Sequence, residues 1–253
     1  MKVKFEKSQT YLNLARGFAG ECQAGARYQF LSKQCIKEGY NFLSDTLKTL
    51  AKNEMAHAKV FFDLIVNNSQ KVVKNININA GYPFKCGELI EHFKFTMEDE
   101  EMEAKKIYPS FSKIAKEEGF DDIAEIFDSV ATVENCHFEL NKQIYKGLLN
   151  KTLYSSKTPI KWKCSNCGKE HTQKTAWKVC DLCSMPQGYV EVPFVTGKTV
   201  KNALMSDNET LNCNCNPCDC APCDCDPCDC NNNSRIKYDN IKTQRNSSSK
   251  KKK

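Results

Sequence analysis

The sequence predicts a mainly α protein: a four-helix bundle over residues 1–150, a small four-cysteine metal module over 159–193, and a disordered tail over 194–253. Three observations predict it. Four helix-length stretches carry an apolar seam at alternating steps of three and four, and acidic residues interrupt every seam. Two Cys-x-x-Cys pairs follow, separated by twelve residues. Eight more cysteines then crowd into a proline-punctuated repeat.

Helix one runs from near Ser8, the expected N-cap, to about Lys37 and stops at Gly39. Its seam is Tyr11, Leu14, Phe18, Glu21, Gly25 and Tyr28. Helix two follows the turn at Gly39-Tyr40-Asn41 and ends near Asn67-Asn68-Ser69, with Leu43, Leu47, Leu50, Phe61 and Leu64 on its seam. Residues 70–83 are polar, Asn-rich and closed by Gly81-Tyr82-Pro83, which reads as a crossover connection. Such a link lets helices two and three run parallel, as in ferritin-like bundles. Helix three, residues 84–118, stops at Gly119 and carries Phe93, Thr96, Glu100, Glu103, Ile107, Phe111 and Ile114. Pro109 should kink it just after the Glu100/Glu103 pair. Helix four starts at Asp121 and ends near Asn150, with Ile123, Phe127, Val130, Ile144 and Leu148 on its seam. Residues 152–159 read as a linker.

The interruptions carry the chemistry. Glu54-Met55-Ala56-His57 and Glu134-Asn135-Cys136-His137 put a carboxylate and an imidazole where the seam demands apolar residues. A buried carboxylate costs several kcal/mol, on the order of what an uncompensated polar burial costs, unless a partner offsets it. A metal ion does so. One Glu from each of two helices plus Glu-x-x-His from each of the other two is the ligand set of a di-metal bundle. Here that set is complete, with Glu103 in surplus. Cys164, Cys167, Cys180 and Cys183 have the spacing of one tetrahedral four-thiolate site, which suits zinc and iron alike. Trp162 and Tyr189 are expected to form its small core.

Composition narrows the function. No run of 18 apolar residues occurs, so no transmembrane helix is expected, and the first ten residues lack the apolar stretch of a signal peptide. A cytoplasmic, reducing location follows. The net charge of +6 is concentrated at the end: residues 231–253 hold eight basic and one acidic residue, leaving 29 basic and 30 acidic elsewhere. Nothing in the folded part suggests a nucleic-acid surface. Of the sixteen cysteines, Cys22, Cys35, Cys86 and Cys136 scatter through the helices and read as small buried hydrophobes.

In order and spacing, about residues 5–193 resemble the rubrerythrin family. Local strings agree too: Gly20-Glu21-Cys22-Gln23-Ala24-Gly25-Ala26-Arg27-Tyr28, Tyr108-Pro109-Ser110-Phe111 with Ala115-Lys116-Glu117-Glu118-Gly119 after it, and Trp162-Lys163-Cys164-Ser165-Asn166-Cys167-Gly168. The resemblance implies a non-haem di-iron site held by Glu21, Glu54, His57, Glu100, Glu103, Glu134 and His137, with Glu54 and Glu134 bridging. It implies that one iron shifts between Glu103 and His57 with redox state, and that Tyr28 and Tyr108 hydrogen-bond near the metals. The implied activity is reduction of hydrogen peroxide to water in oxidative-stress defence. Electrons would pass singly through a mononuclear iron on the four cysteines, from the neighbouring subunit of a homodimer. The donor would be a rubredoxin or an NAD(P)H-dependent reductase. Two residues depart from the family pattern: Cys22 replaces a small hydroxyl residue, and Asp181 replaces proline, where its charge should favour ferric iron and lower the potential.

Alternatives remain at this level. The same ligands serve a ferroxidase or oxygen reductase, and a non-catalytic metal-handling protein with a zinc ribbon would be colourless. A zinc-ribbon nucleic-acid binder is weakest, because the basic charge lies outside the folded part. The repeat over 213–230, one Cys-Asn-Cys and three Cys-Asp-Cys units each set off by proline, cannot bury a core and is expected to be disordered without a ligand. It reads either as a low-complexity extension or as a thiolate tail that binds additional metal or consumes peroxide.

Overall fold

The computed structural model describes residues 3–195. The cysteine repeat and the basic end, with the disorder expected of them, lie outside the described residues. Five helices form the larger part: α1 (Gln9–Lys37), α2 (Asn41–Asn68), α3 (Leu89–Met102), α4 (Tyr108–Glu117) and α5 (Asp121–Leu149). One π turn, Glu103–Ile107, joins α3 to α4 in a single helical line, so the bundle has the four lines expected. Ser8 caps α1 by accepting from the Tyr11 N–H. Gly39 and Gly119 end the first and third lines in the left-handed region, at φ +83 and +81°. No helix among the described residues is long and apolar enough to cross a membrane.

Hydrogen bonds fix the directions of the helices. Along α1 and the third line the partners run in opposite order: Thr10 with Glu118, Tyr108 with Glu21, Arg27 with Asp99, Gln34 with His92. These two lines are antiparallel. The connection between α2 and α3 is tied to α1 and the turn just before it in ascending order, Gln70 to Glu6, Asn79 to Arg16, Pro83 to Gln23 and Gly87 to Gln34. It therefore travels the length of α1 and returns to the end where α2 began, so α2 and α3 run parallel. This is the ferritin-like topology the crossover predicts.

Two apolar clusters fill the bundle. One gathers Leu31, Leu43, Leu47, Phe93 and Ile144; the other gathers Leu14, Phe61, Ile123, Phe127 and Val130. On every line the acidic and histidine seam residues fall between the two. The putting of polar groups in mid-bundle is thus enclosed by apolar packing at both ends.

Several local expectations are corrected. The third line begins at Leu89, not residue 84, and Phe84 is exposed. Phe18 leaves the α1 seam and faces outward against Phe62. Gly17 takes its place, because the Phe61 ring lies 2.9 Å from where a Cβ would stand. Pro109 acts through the π turn: it has no N–H for the Lys105 carbonyl, and the wider turn absorbs that loss. A π turn takes up one extra residue, so the buried positions after Glu100 are Ala104, Tyr108, Ser112 and Ala115. Ile107, Phe111 and Ile114 are only half-buried. Of the scattered cysteines only Cys35 is fully buried, and Cys86 is exposed.

The second part is a three-stranded antiparallel sheet in the order β2-β1-β3, from β1 (Ser155–Cys164), β2 (Glu170–Thr175) and β3 (Val190–Glu191). The expected linker is therefore partly strand. Trp162 is its buried centre, packed with Ala176 and Val190, while Tyr189 is half-buried rather than core. The Trp162 Nε1–H donates to the Gln173 carbonyl at 3.0 Å. Gly188 lies directly on the turn between α1 and α2: a Cβ there would sit 1.6 Å from the Gly39 carbonyl oxygen. Only glycine permits that approach.

Candidate metal centres

All four helical lines deliver carboxylates to mid-bundle. Glu21, Glu54, Glu100, Glu134 and His137 are almost fully buried, and His57 is half-buried. Their ligand-type atoms form two groups, each within 4.8 Å: Glu21, Glu54, His57 and Glu134, then Glu54, Glu100, Glu134 and His137. Glu54 and Glu134 belong to both. The oxygens divide cleanly. His57 Nδ1 lies 3.3 Å from Glu54 Oε2 and 2.9 Å from Glu134 Oε1. His137 Nδ1 lies 2.9 Å from Glu54 Oε1 and 2.8 Å from Glu134 Oε2. Each bridging carboxylate thus turns one oxygen to each group, while Glu21 belongs to the first and Glu100 to the second.

Eight of these atoms are buried without a hydrogen-bond partner: Glu21 Oε2, both oxygens of Glu54 and Glu134, Glu100 Oε2, and Nδ1 of both histidines. Each would cost about 1–3 kcal/mol if left so. They crowd into two groups in which carboxylate oxygens and histidine nitrogens lie close together, which is the arrangement two cations satisfy. The electrostatics agree. Burial opposes a charged His57, but Glu134, Glu21 and Glu54 push its pKa up to about 12, and His137 is raised in the same way. Burial raises Glu100 to about 8 and Glu21 well above the usual carboxylate range. Glu54 is pulled down to about 2, against its burial, by His137 and His57. Without metal the cluster holds protons as its counter-charge.

The two tyrosines occupy matching places. Tyr28 donates to Glu100 Oε1 at 2.6 Å, and Tyr108 donates to Glu21 Oε1. Each fixes the outer oxygen of a terminal carboxylate and leaves its Oε2 facing inward. Burial first, then the adjacent Glu, holds both phenols well above their usual pKa. Asn141 was missed by sequence reasoning. Its amide donates to Tyr28 Oη at 2.8 Å and to the His137 carbonyl at 2.9 Å. The signal was an Asn on the α5 seam four residues after His137. Asn53, also missed, stands 3.4 Å from His137 Nε2.

Glu103 is not brought into either group. It sits half-buried at the start of the π turn, close enough to the cluster to feel the charges of Glu100, Glu21, Glu134 and Glu54. It faces a pocket also lined by Tyr108 and Tyr82. Burial, then the charges of Glu100 and Glu21, hold its carboxyl well above the usual range.

The second centre is local in sequence. Cys164 and Cys183 have Sγ atoms 3.7 Å apart, as do Cys167 and Cys180. Four sulfurs at ~2.3 Å from one ion in a tetrahedron stand about 3.8 Å apart. The two knuckles are built alike: Gly168 N–H donates to the Cys164 carbonyl and Ser184 N–H to that of Cys180, both at 2.8 Å. Gly168 and Ser184 both adopt positive φ, 75 and 59°. Lys169 pairs with Asp181, so the carboxylate beside the second knuckle is countered rather than bare.

The chain is similar to known proteins. A family model described as rubrerythrin matches residues 13–145. The chain is 35% identical over 186 residues to the rubrerythrin of Clostridium perfringens (strain 13 / Type A), covering 73% of this chain and 94% of that one. It is 36% identical over 185 residues to rubrerythrin-1 of Clostridium acetobutylicum, again covering 73% and 94%. The rubrerythrin of Porphyromonas gingivalis is 32% identical over 192 residues, covering 76% and 93%. With the ligand sets assembled as described and the match extending over most of each relative, the chain belongs to the rubrerythrin family.

Proposed function

We propose that this protein is a peroxidase that reduces hydrogen peroxide to water at a di-iron centre, fed with electrons through a four-thiolate iron. The observation that carries the reading is the division of the Glu54 and Glu134 oxygens between two ligand groups. When bound, two ferrous ions supply two electrons together, so the O–O bond can break without releasing a radical. Glu54 and Glu134 would hold both ions, since each turns one oxygen to each ligand group. Tyr108 Oη and Tyr28 Oη donate hydrogen bonds to the outer oxygens of Glu21 and Glu100, which holds those carboxylates in place as charge changes beside them. The apolar clusters at both ends keep bulk water out, which strengthens every charge interaction within.

Electron entry is assigned to the four-cysteine module, from a rubredoxin or an NAD(P)H-dependent reductase, with a homodimer as the working unit. The proposed setting is the reducing cytoplasm and the role is defence against oxidative stress. The test is direct. Reduced, iron-loaded protein should be oxidised by stoichiometric hydrogen peroxide much faster than by air-saturated buffer. Equal or slower oxidation by peroxide would reassign the centre to dioxygen reduction or ferroxidase chemistry.

A further inference from the structure

Between α1, the crossover connection and the π turn lies a pocket of about 390 Å³, open to the surface. One water occupies roughly 10–15 Å³ of such space, and pockets for small organic ligands start near ~300 Å³. The volume is far beyond what hydrogen peroxide requires. Its lining combines an apolar stretch from Tyr82, Pro83, Ile107 and Phe111 with the polar Arg16, Gln23, Lys106 and Ser110, and it includes Glu103 and Tyr108. Tyr108 is hydrogen-bonded to Glu21, so one layer of side chains separates the pocket from the first metal group.

The wall is held in place. Tyr82 Oη donates to the Arg16 carbonyl at 3.1 Å, Gln23 Nε2 to the Pro83 carbonyl at 2.6 Å, and Arg16 Nε to the Asn79 carbonyl at 3.1 Å. Gly20 lines the floor of the pocket beside Glu21. A Cβ at Gly20 would meet a single atom, Tyr82 Cε1 at 3.8 Å. Helix packing therefore does not demand glycine there, in contrast with Gly17 against Phe61. The side-chain volume that Gly20 omits is pocket.

We propose that this pocket binds organic hydroperoxides with a compact apolar group of about the size of one aromatic ring, extending the substrate class of the peroxidase reaction. The inference rests on that reading for its chemistry. The apolar group lies among Tyr82, Pro83, Ile107 and Phe111, and the hydroperoxide points toward Tyr108 and Glu103. The O–O bond of ROOH breaks on taking up two electrons and two protons, giving ROH and water. The electrons come one from each ferrous ion of the proposed centre.

The experiment uses the full chain with two readouts. Binding of 2-phenyl-2-propanol, the alcohol left by cumene hydroperoxide, to the oxidised protein is followed by saturation-transfer NMR. Single-turnover oxidation of the reduced protein is timed with cumene hydroperoxide and with hydrogen peroxide. The wild type binds the alcohol; Gly20→Phe, whose ring fills the pocket, loses binding, and Tyr82→Ala, which removes a wall at the surface, weakens it several-fold. In Gly20→Phe the ratio of the cumene hydroperoxide rate to the hydrogen peroxide rate falls at least about tenfold. No alcohol binding by the wild type, unchanged binding in both variants, or equal slowing of both peroxides overturns the proposal. If the reduced wild type reacts with neither peroxide, the peroxidase reading falls, and the alcohol-binding arm alone decides the pocket.

Discussion

The two metal centres are built in opposite ways. The bundle centre collects its ligands from residues 21 to 137, across all four helical lines, and buries them between two apolar clusters. The four-cysteine centre takes its ligands from residues 164 to 183, in two knuckles beside the exposed side chains of Val179 and Leu182. The bundle folds around its site with abundant core on both sides. The module has only Trp162, Ala176 and Val190 as a buried apolar core, too little to stand alone, so its ion must supply most of its order. The enclosed centre suits chemistry that must exclude water. One near the surface suits exchange of electrons with a partner.

The largest predicted effect breaks this comparison at its weaker side. Thiolate-bound structural ions contribute on the order of 10–16 kcal/mol to small domains. Cys164→Ser should therefore remove hydrogen-exchange protection from the strands while the helices keep theirs. It should also abolish steady-state turnover with a reductase and spare single-turnover oxidation of a chemically reduced bundle. Normal steady-state rates would show the module to be structural only. The converse variant, Glu54→Ala, withdraws an oxygen from both ligand groups at once. It should lose both bundle irons and all turnover, and keep the colour of thiolate-bound iron.

A third effect separates the centres by pH in metal-free protein. Glu100 is raised to about 8 and His57 to about 12. Between the unfolded carboxylate pKa near ~4.5 and pH 8, native Glu100 holds a proton the unfolded chain has lost, so rising pH destabilises the fold. His57 acts in the same sense: its contribution is complete below its unfolded value and is lost only as pH climbs toward 12. Glu54, lowered to about 2, stabilises above ~4.5 and loses that contribution only in strong acid. Thermal melting of the metal-free bundle should fall from pH 6 to pH 9, while iron affinity rises over that range as metal replaces protons. A flat profile would mean the cluster is not protonated as described. The smallest effect is Tyr108→Phe. Losing one buried hydrogen bond to a carboxylate costs about 1–3 kcal/mol, and should appear as weaker binding at the Glu21 group with little change at the Glu100 group.

The sequence displayed one centre more completely than the other. Cys164 to Cys183 could be read from spacing alone, because both knuckles are local. The bundle ligands were legible wherever the helix stayed regular: the seam on α1, α2 and α5 put Glu21, Glu54, His57, Glu134 and His137 together, and α3 added Glu100. It failed after Glu100, where one π turn moved every later position by one residue. Pro109 announced an interruption but not its form, which is why Ile107, Phe111 and Ile114 were placed on the seam and Tyr108 was found by resemblance rather than by period. Phe18 misled for a simpler reason: an apolar residue at the right step lost to Gly17, whose position is decided by the Phe61 ring on another helix. Asn141 and Asn53 act through neighbours that only the folded chain supplies.

The most direct measurement is the iron content of anaerobically purified protein, taken with its visible spectrum. Two ligand groups sharing Glu54 and Glu134, and one four-thiolate group, predict three irons per chain and the colour of ferric thiolate. A colourless protein with zinc on the cysteines and no iron in the bundle would contradict the account.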